Sequence, residues 1–337
     1  MSAPLRIGIL GAANIVRGYA PPVKQSSKVT LVGVASRDMA KAEAMAKEVG
    51  LSRAWGSYES MLADPGIDAV YLPLPNSLHA EWAIKAAQAK KHILCEKPLA
   101  VSGEQAKAMY AAASANKVHL VEAYPYLAQP QTIEMRKILS AGRIGKVQVI
   151  QASFGFTVPN PATNVRLVAD LGGGARFDAG SYPVSVVRIV AGERPSRVYA
   201  ASSLYSEGLD RTTIVSLEFS NGMLAQVECS FGTGFHRHCF IGGDKGVMIT
   251  DYINHTTPEK PLTLQIKEHT TSNTPYDVIT IPGMNGFFAE TESFAALVAG
   301  EPNGWTGTTA QESIDIALTI DAISESMRTR NWVAVKS

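Results

Sequence analysis

Apolar and polar positions follow two different rhythms along this chain. From Leu5 to about Tyr124, short continuous apolar runs alternate with alanine-rich stretches of helical spacing. The runs RIGIL (6–10), VTLVGVAS (29–36), AVYLPL (69–74), HILCE (92–96) and VHLVEAY (118–124) predict strands buried on both faces, as in a parallel sheet. Between them, DMAKAEAMAKEVG, SLHAEWAIKAAQAK and SGEQAKAMYAAASAN predict helices, with Asp38 placed to cap the first and Gly50 to end it. Strand and helix in this alternation define a parallel α/β unit.

After about Lys146 the rhythm changes to period two. KVQVIQASFGF, RVYAASSLY, TTIVSLEFS, MLAQVECSFG and HRHCFIGG alternate side by side, joined by turn signals such as Ser220-Asn221-Gly222. This predicts a large, mostly antiparallel open sheet with one face exposed or covered by a partner. Helical spacing returns at 286–299 and 309–329, and Pro125 and Pro130 bracket a crossover. The expected organisation is an α/β unit over 1–125 and an α+β unit over 126–337.

Composition narrows the function. A length of 337 residues suits two domains, and 46% apolar with 18% charged residues excludes a disordered or coiled-coil chain. A net charge of +1 without runs of like charge offers no footprint for nucleic acid or an acidic membrane, so a small-molecule partner is expected. No stretch reaches the roughly 18 to 20 apolar residues of a membrane span. Cys95, Cys229 and Cys239 form no CxxC pair, which points to a reducing, cytoplasmic setting. Arg6 followed by Ile7 to Val16 imitates a short signal peptide, but two glycines interrupt the run and a first strand with its turn is expected instead.

The first strand enters GILGAANIV, where Gly11, Ala13 and Val16 stand in place of the three glycines of GxGxxG. An ordinary βα turn is one reading. At the opening of an α/β pattern, small residues that let the backbone approach a pyrophosphate at a helix N-terminus are the other. The second strand ends at Ser36 and Arg37, with Lys41 one helical turn on, and a hydroxyl with two cations suits the 2′-phosphate of NADP rather than NAD. Asp38 reads as a helix cap. Lys97 follows the fourth strand at its carboxyl end, where it faces a ligand crevice or pairs with Glu96. The segment 164–184 holds Arg166, three consecutive glycines, Asp178 and Tyr182; Pro183 fits a first helical turn, and the rival reading is a glycine loop with a core tyrosine. His236 and His238, with Cys239 beside them, lack further ligands at recognisable spacing, so no metal is expected.

Taken together, GILGAANI, EKP and the GGG-x5-GxY stretch make the chain resemble the glucose-fructose oxidoreductase/inositol dehydrogenase (Gfo/Idh/MocA) family over essentially its whole length. The likeness is closest to its dihydrodiol dehydrogenase and NADP-dependent D-xylose dehydrogenase branch. It implies a doubly wound Rossmann domain followed by an α+β domain whose open sheet forms a homodimer or higher homo-oligomer. It implies catalysis by Lys97, Asp178 and Tyr182, and NADP contacts at Gly11, Ala13, Asn14, Ile15, Ser36, Arg37, Leu74, Glu96 and the Pro75, Asn76, His79 stretch. Arg166 is implied near nicotinamide and substrate. The expected reaction is hydride transfer to or from a sugar or small polyol, with Tyr182 exchanging the proton, Lys97 holding the oxygen and Asp178 orienting a hydroxyl. A free phenol titrates near 10, so this role asks for a cation beside it. Where relatives read EAFMWRFHPQ, this chain has EAYPYLAQPQ, so Leu127 and Gln129 replace an arginine and a histidine and Tyr126 becomes the expected substrate contact. The alternatives are a non-catalytic NADP-binding sugar sensor and a sugar–sugar oxidoreductase that keeps NADP tightly bound.

Overall fold

The structure, a computed structural model, describes residues 3–268 and 273–336. The first unit runs β1 (Leu5–Leu10), α1 (Val16–Val23), β2 (Val29–Ala35), α2 (Met39–Glu48), β3 (Arg53–Trp55), α3 (Tyr58–Leu62), β4 (Ala69–Leu72), α4 (His79–Gln88), β5 (His92–Glu96), α5 (Gly103–Asn116) and β6 (Leu120–Ala123). Local chemistry sets these limits. Asp38 takes extended geometry and accepts from the N–H groups of Ala40 and Lys41, opening α2, while Gly50 at φ +68° follows its end. Ser57 and Ser102 cap α3 and α5 through Ser60 and Gln105. The strands are ordered β3-β2-β1-β4-β5-β6, all parallel. The winding reverses between β1 and β4, which opens a crevice beyond their carboxyl ends. This is the expected doubly wound sheet. The sequence reading passed over β3 and α3, which are too short for periodicity to register.

A 3-10 turn over Pro125–Ala128 leads into the second unit: α6 (Pro130–Ser140), β7 (Val147–Gly155), α7 (Ala175–Asp178), α8 (Ser181–Ala191), β8 (Arg197–Ser206), β9 (Leu209–Glu218), β10 (Leu224–Ser230), β11 (His236–Gly243), β12 (Gly246–Thr250), β13 (Leu262–Glu268), β14 (Asp277–Ile281), α9 (Gly286–Val298), α10 (Ala310–Thr329) and β15 (Val333–Ala334). Its sheet is ordered β14-β13-β12-β11-β7-β10-β9-β8-β15. Every neighbouring pair is antiparallel except β7 with β10. The expected open sheet is present, and β12 to β14 extend it beyond the strands read from sequence. Inward residues such as Val198, Val215, Leu217 and Val227 form one core with Val186 and Val187 of α8. The opposite face is open and carries Tyr199, Ile214 and Leu224 among polar residues.

The last helices cross back to the first unit. Phe287, Phe294 and Ala295 of α9 join Tyr19, Ala20 and Val23 of α1 in one core. Thr291 Oγ1 donates to Tyr19 Oη at 3.2 Å, and the Tyr19 ring stacks on Tyr71 at 3.8 Å. The start of α5 rests on α10, where Asp321 accepts from the Gly103 N–H at 2.7 Å. No helix among the described residues is long and apolar enough to cross a membrane.

Candidate active site

The carboxyl edge of the parallel sheet and the inner side of the second unit enclose a cleft of about 480 Å³. Lys97, immediately after β5, enters it almost fully buried. Its Nζ donates to Asp178 Oδ1 at 2.6 Å and to the Asp178 carbonyl at 2.8 Å. Arg166 Nε donates to the other carboxylate oxygen at 2.6 Å. Burial alone would raise the Asp178 pKa, but the Lys97 and Arg166 cations outweigh it and hold the carboxyl well below the usual carboxylate range. Lys97 therefore pairs with Asp178. Glu96 instead accepts from Tyr71 Oη at 2.5 Å, and burial pushes its carboxyl up.

Asp178 ends α7 and Tyr182 lies in the first turn of α8, where Pro183 leaves no needed N–H unmade. The four-residue spacing brings both to Lys97, whose Nζ sits 4.7 Å from the Tyr182 ring centre. Tyr182 Oη accepts from Asn254 Nδ2 at 2.8 Å. The glycine run does specific work: Gly172, at φ +76°, lies so close to Asn76 that a Cβ would stand 2.9 Å from the asparagine's own. Asn76 Nδ2 donates to the Gly172 carbonyl at 2.8 Å, tying this loop to the parallel sheet.

At the β1–α1 turn, Gly11 has φ +138°, and a Cβ there would meet Leu74 at 2.9 Å. Among the described residues, the N–H groups of Ala13, Asn14 and Ile15 have no acceptor, and Ile15 supplies no side-chain cap to α1. Exposed donors at a helix N-terminus suit a pyrophosphate. The Asn14 side chain is engaged by Arg17, which also pairs with Glu48. Ser36 and Arg37 follow β2, and Lys41 points to solvent 3.9 Å from Asp38. This donor set fits a phosphorylated dinucleotide; Glu96 lines the cleft, Leu74 lies against Gly11, and Pro75 and Asn76 follow it in the loop after β4.

Two sequence-predicted contacts lie behind the cleft. His79 is fully buried, with Nδ1 2.9 Å from the Pro98 carbonyl and Nε2 2.8 Å from the Leu74 carbonyl. Burial lowers its pKa against the raising effect of the carbonyls around it, and the ring braces the two loops rather than meeting a ligand. Tyr126 is turned into the core by the 3-10 turn, where its hydroxyl bonds Ser185 at 2.8 Å. Leu127 and Gln129 are buried too. Conversely, Arg237, Asn254, His255 and the rings of Phe154, Phe156 and Phe235 line the cleft without having been singled out. Strand alternation held a signal for one of them, since placing His236 and His238 on one face sends Arg237 to the other.

A doubly wound sheet, a phosphate-ready turn and a buried lysine, aspartate and tyrosine at the crevice define a Rossmann-type oxidoreductase architecture. Residues 5–124 match the GFO/IDH/MocA model described as an oxidoreductase family with an NAD-binding Rossmann fold, and residues 132–249 match the GFO/IDH/MocA C-terminal domain. The chain is 36% identical to D-xylose 1-dehydrogenase (NADP(+)) 2 of Haloferax volcanii, over 96% of this chain and 98% of that protein. It is 32% identical to trans-1,2-dihydrobenzene-1,2-diol dehydrogenase of Danio rerio, over 72% and 73%. The crystal structure of KijD10, a 3-ketoreductase from Actinomadura kijaniata with NADP and TDP-benzene, has a TM-score of 0.85 at 26% identity, over 96% of this chain and 98% of that one. The chain belongs to the GFO/IDH/MocA oxidoreductase family.

Proposed function

We propose that the protein is an NADP-dependent oxidoreductase moving hydride between nicotinamide C4 and the carbon of a hydroxyl or carbonyl group on a sugar or small polyol, as in D-xylose or dihydrodiol oxidation. The observation that carries this reading is the Tyr182 hydroxyl in a cleft beside a lysine fixed by a carboxylate. In oxidation, Tyr182 takes the proton of the substrate hydroxyl as its C–H bond is lost as hydride; in reduction it returns the proton to the new alkoxide. Two of the three Lys97 donors are held by Asp178, leaving the third to bind the reacting oxygen. Asp178 fixes both Lys97 and Arg166, and Arg166 faces the substrate side of the cleft.

Gly11, Ala13, Asn14 and Ile15 would cradle the pyrophosphate, and Ser36, Arg37 and Lys41 the 2′-phosphate. The NADP named for the relatives above supports that preference. Cys95, Cys229 and Cys239 are all buried and unpaired, which supports a cytoplasmic setting. The open sheet face with Tyr199, Ile214 and Leu224 supports a homodimer or higher homo-oligomer.

The test is binding of NADPH and NADH by the purified protein, then initial rates with aldoses, ketoses, polyols and dihydrodiols. Tighter NADPH binding and turnover of one class are expected. Tight binding with no turnover in any class would sink the enzyme reading in favour of a sensor.

A further inference from the structure

Behind the Tyr182 hydroxyl stand two residues that the reaction above leaves unused. Arg237 of β11 extends its guanidinium between the rings of Phe154, at 4.0 Å, and Tyr182, at 4.2 Å. Its Nη1 donates to the Tyr252 carbonyl at 3.1 Å and to Asn254 Oδ1 at 2.8 Å. A guanidinium has donors only, so the amide oxygen of Asn254 must face Arg237. The amide nitrogen is thereby turned to Tyr182 Oη, 2.8 Å away. That nitrogen can only donate, so the phenol oxygen accepts on this side and its own hydrogen lies elsewhere. Tyr182 has no other hydroxyl partner among the described residues and lines the cleft, so the hydrogen faces the space where a substrate oxygen binds.

The backbone that carries this amide is also anchored from below. Gln129 Nε2 donates to the main-chain carbonyl of Asn254 at 2.7 Å, and buried Tyr252, at φ +35°, donates its hydroxyl to the Ser153 carbonyl at 2.6 Å. When the phenol is ionised, the same N–H donates to the phenolate without reorganisation.

We propose that Asn254 is a positioning residue that keeps the Tyr182 hydroxyl hydrogen directed at the substrate, and that Arg237 acts through Asn254 by fixing its amide. This rests on the reading of Tyr182 as the proton-exchanging group. Groups facing Tyr182 are Lys97, Asp178 through Lys97, Arg166, Arg237, Tyr124, Tyr126 and Tyr252.

The experiment is steady-state kinetics with pH profiles for Asn254→Asp, Asn254→Ala, Arg237→Met and the Arg237→Met/Asn254→Ala double variant, with Tyr182→Phe alongside. In Asn254→Asp the isosteric carboxylate pairs with Arg237 and offers Tyr182 an acceptor, turning the hydrogen away. Its kcat is expected to fall about 100-fold with KM within about threefold, and the acid limb of the oxidation profile to move to higher pH. Arg237→Met is expected to lower kcat about tenfold alone and to cost nothing further once Asn254 is alanine. Wild-type kcat and an unchanged profile in Asn254→Asp would overturn the proposal. So would an Arg237→Met effect confined to KM and equal in both backgrounds, which would place Arg237 on the substrate. Full turnover by Tyr182→Phe would instead remove the catalytic reading itself. If Asn254→Ala fails to fold, Asn254→Asp and Arg237→Met decide the question.

Discussion

Each oxygen of the Asp178 carboxylate carries one cation, so its chemistry belongs to a chain of three residues rather than to one. A carboxyl held below its ordinary range stabilises the folded protein. That contribution is full above the unfolded value of about 4 and is lost as pH falls through the depressed native one. Asp178→Asn is therefore expected to lower Tm by an amount that is constant from pH 5 to 9 and shrinks in acid, which scanning calorimetry of both proteins would read. The same change frees Lys97 and Arg166 and should reduce kcat by about 100-fold. At this scale the resemblance singled out Lys97, Asp178, Tyr182 and Arg166, where residue type and spacing alone left rival readings open, and the structure brings the four together. The sequence was silent where the role depends on a distant partner. Asn254 matters through Tyr182, 72 positions away, and nothing around it marks that meeting.

Among the elements, α4 shows how a helix start serves a site it does not enter. Its first residue, His79, spans the carbonyls of Leu74 and Pro98, the loops after β4 and β5 that border the crevice. His79→Ala removes the ring that these carbonyls face and leaves a cavity behind them, at a cost of about 3 kcal/mol. Denaturant titration checks this, and a raised KM for the nucleotide should accompany it because Leu74 and Lys97 shift together. Long helices such as α2, α5 and α10 could be read from their spacing, with Asp38 as a cap for the first; the structure adds the Ser102 cap and the Thr309–Glu312 capping box for the other two. The three residues of β3 and the parallel pairing of β7 with β10 could not, because neither is a property of the segment's own pattern.

For the whole molecule, buried carboxyls shape stability against pH, and Glu122 and Glu290 join Glu96 among those raised. Glu122 on β6 is pushed to about 7 by burial, and Glu290 on α9 is raised well above its ordinary value by burial and by Glu96. Raised acids hold a proton in the fold that the unfolded chain releases above about 4.3, so stability falls as pH rises from there through the native value. Wild-type Tm is expected to decline between pH 5 and 8. Glu122→Gln, which keeps an acceptor for the Leu99 N–H, should flatten that decline; an equally steep curve would contradict the assignment. The two-unit plan was visible in the change from continuous to alternating apolar positions. What pattern alone did not convey is that the first unit borrows α9.

That borrowing sets a schedule for synthesis. The core around Tyr19, Ala20 and Val23 of α1 is completed, on the side where Phe287 meets the Tyr19 ring, only when Phe287, Phe294 and Ala295 arrive, some 170 residues after β6 has left the ribosome. At about 5 to 20 residues per second, a nascent parallel sheet waits roughly 10 to 30 seconds with an aromatic surface bare. The growing chain thus offers chaperones a binding face during translation that the finished protein no longer shows.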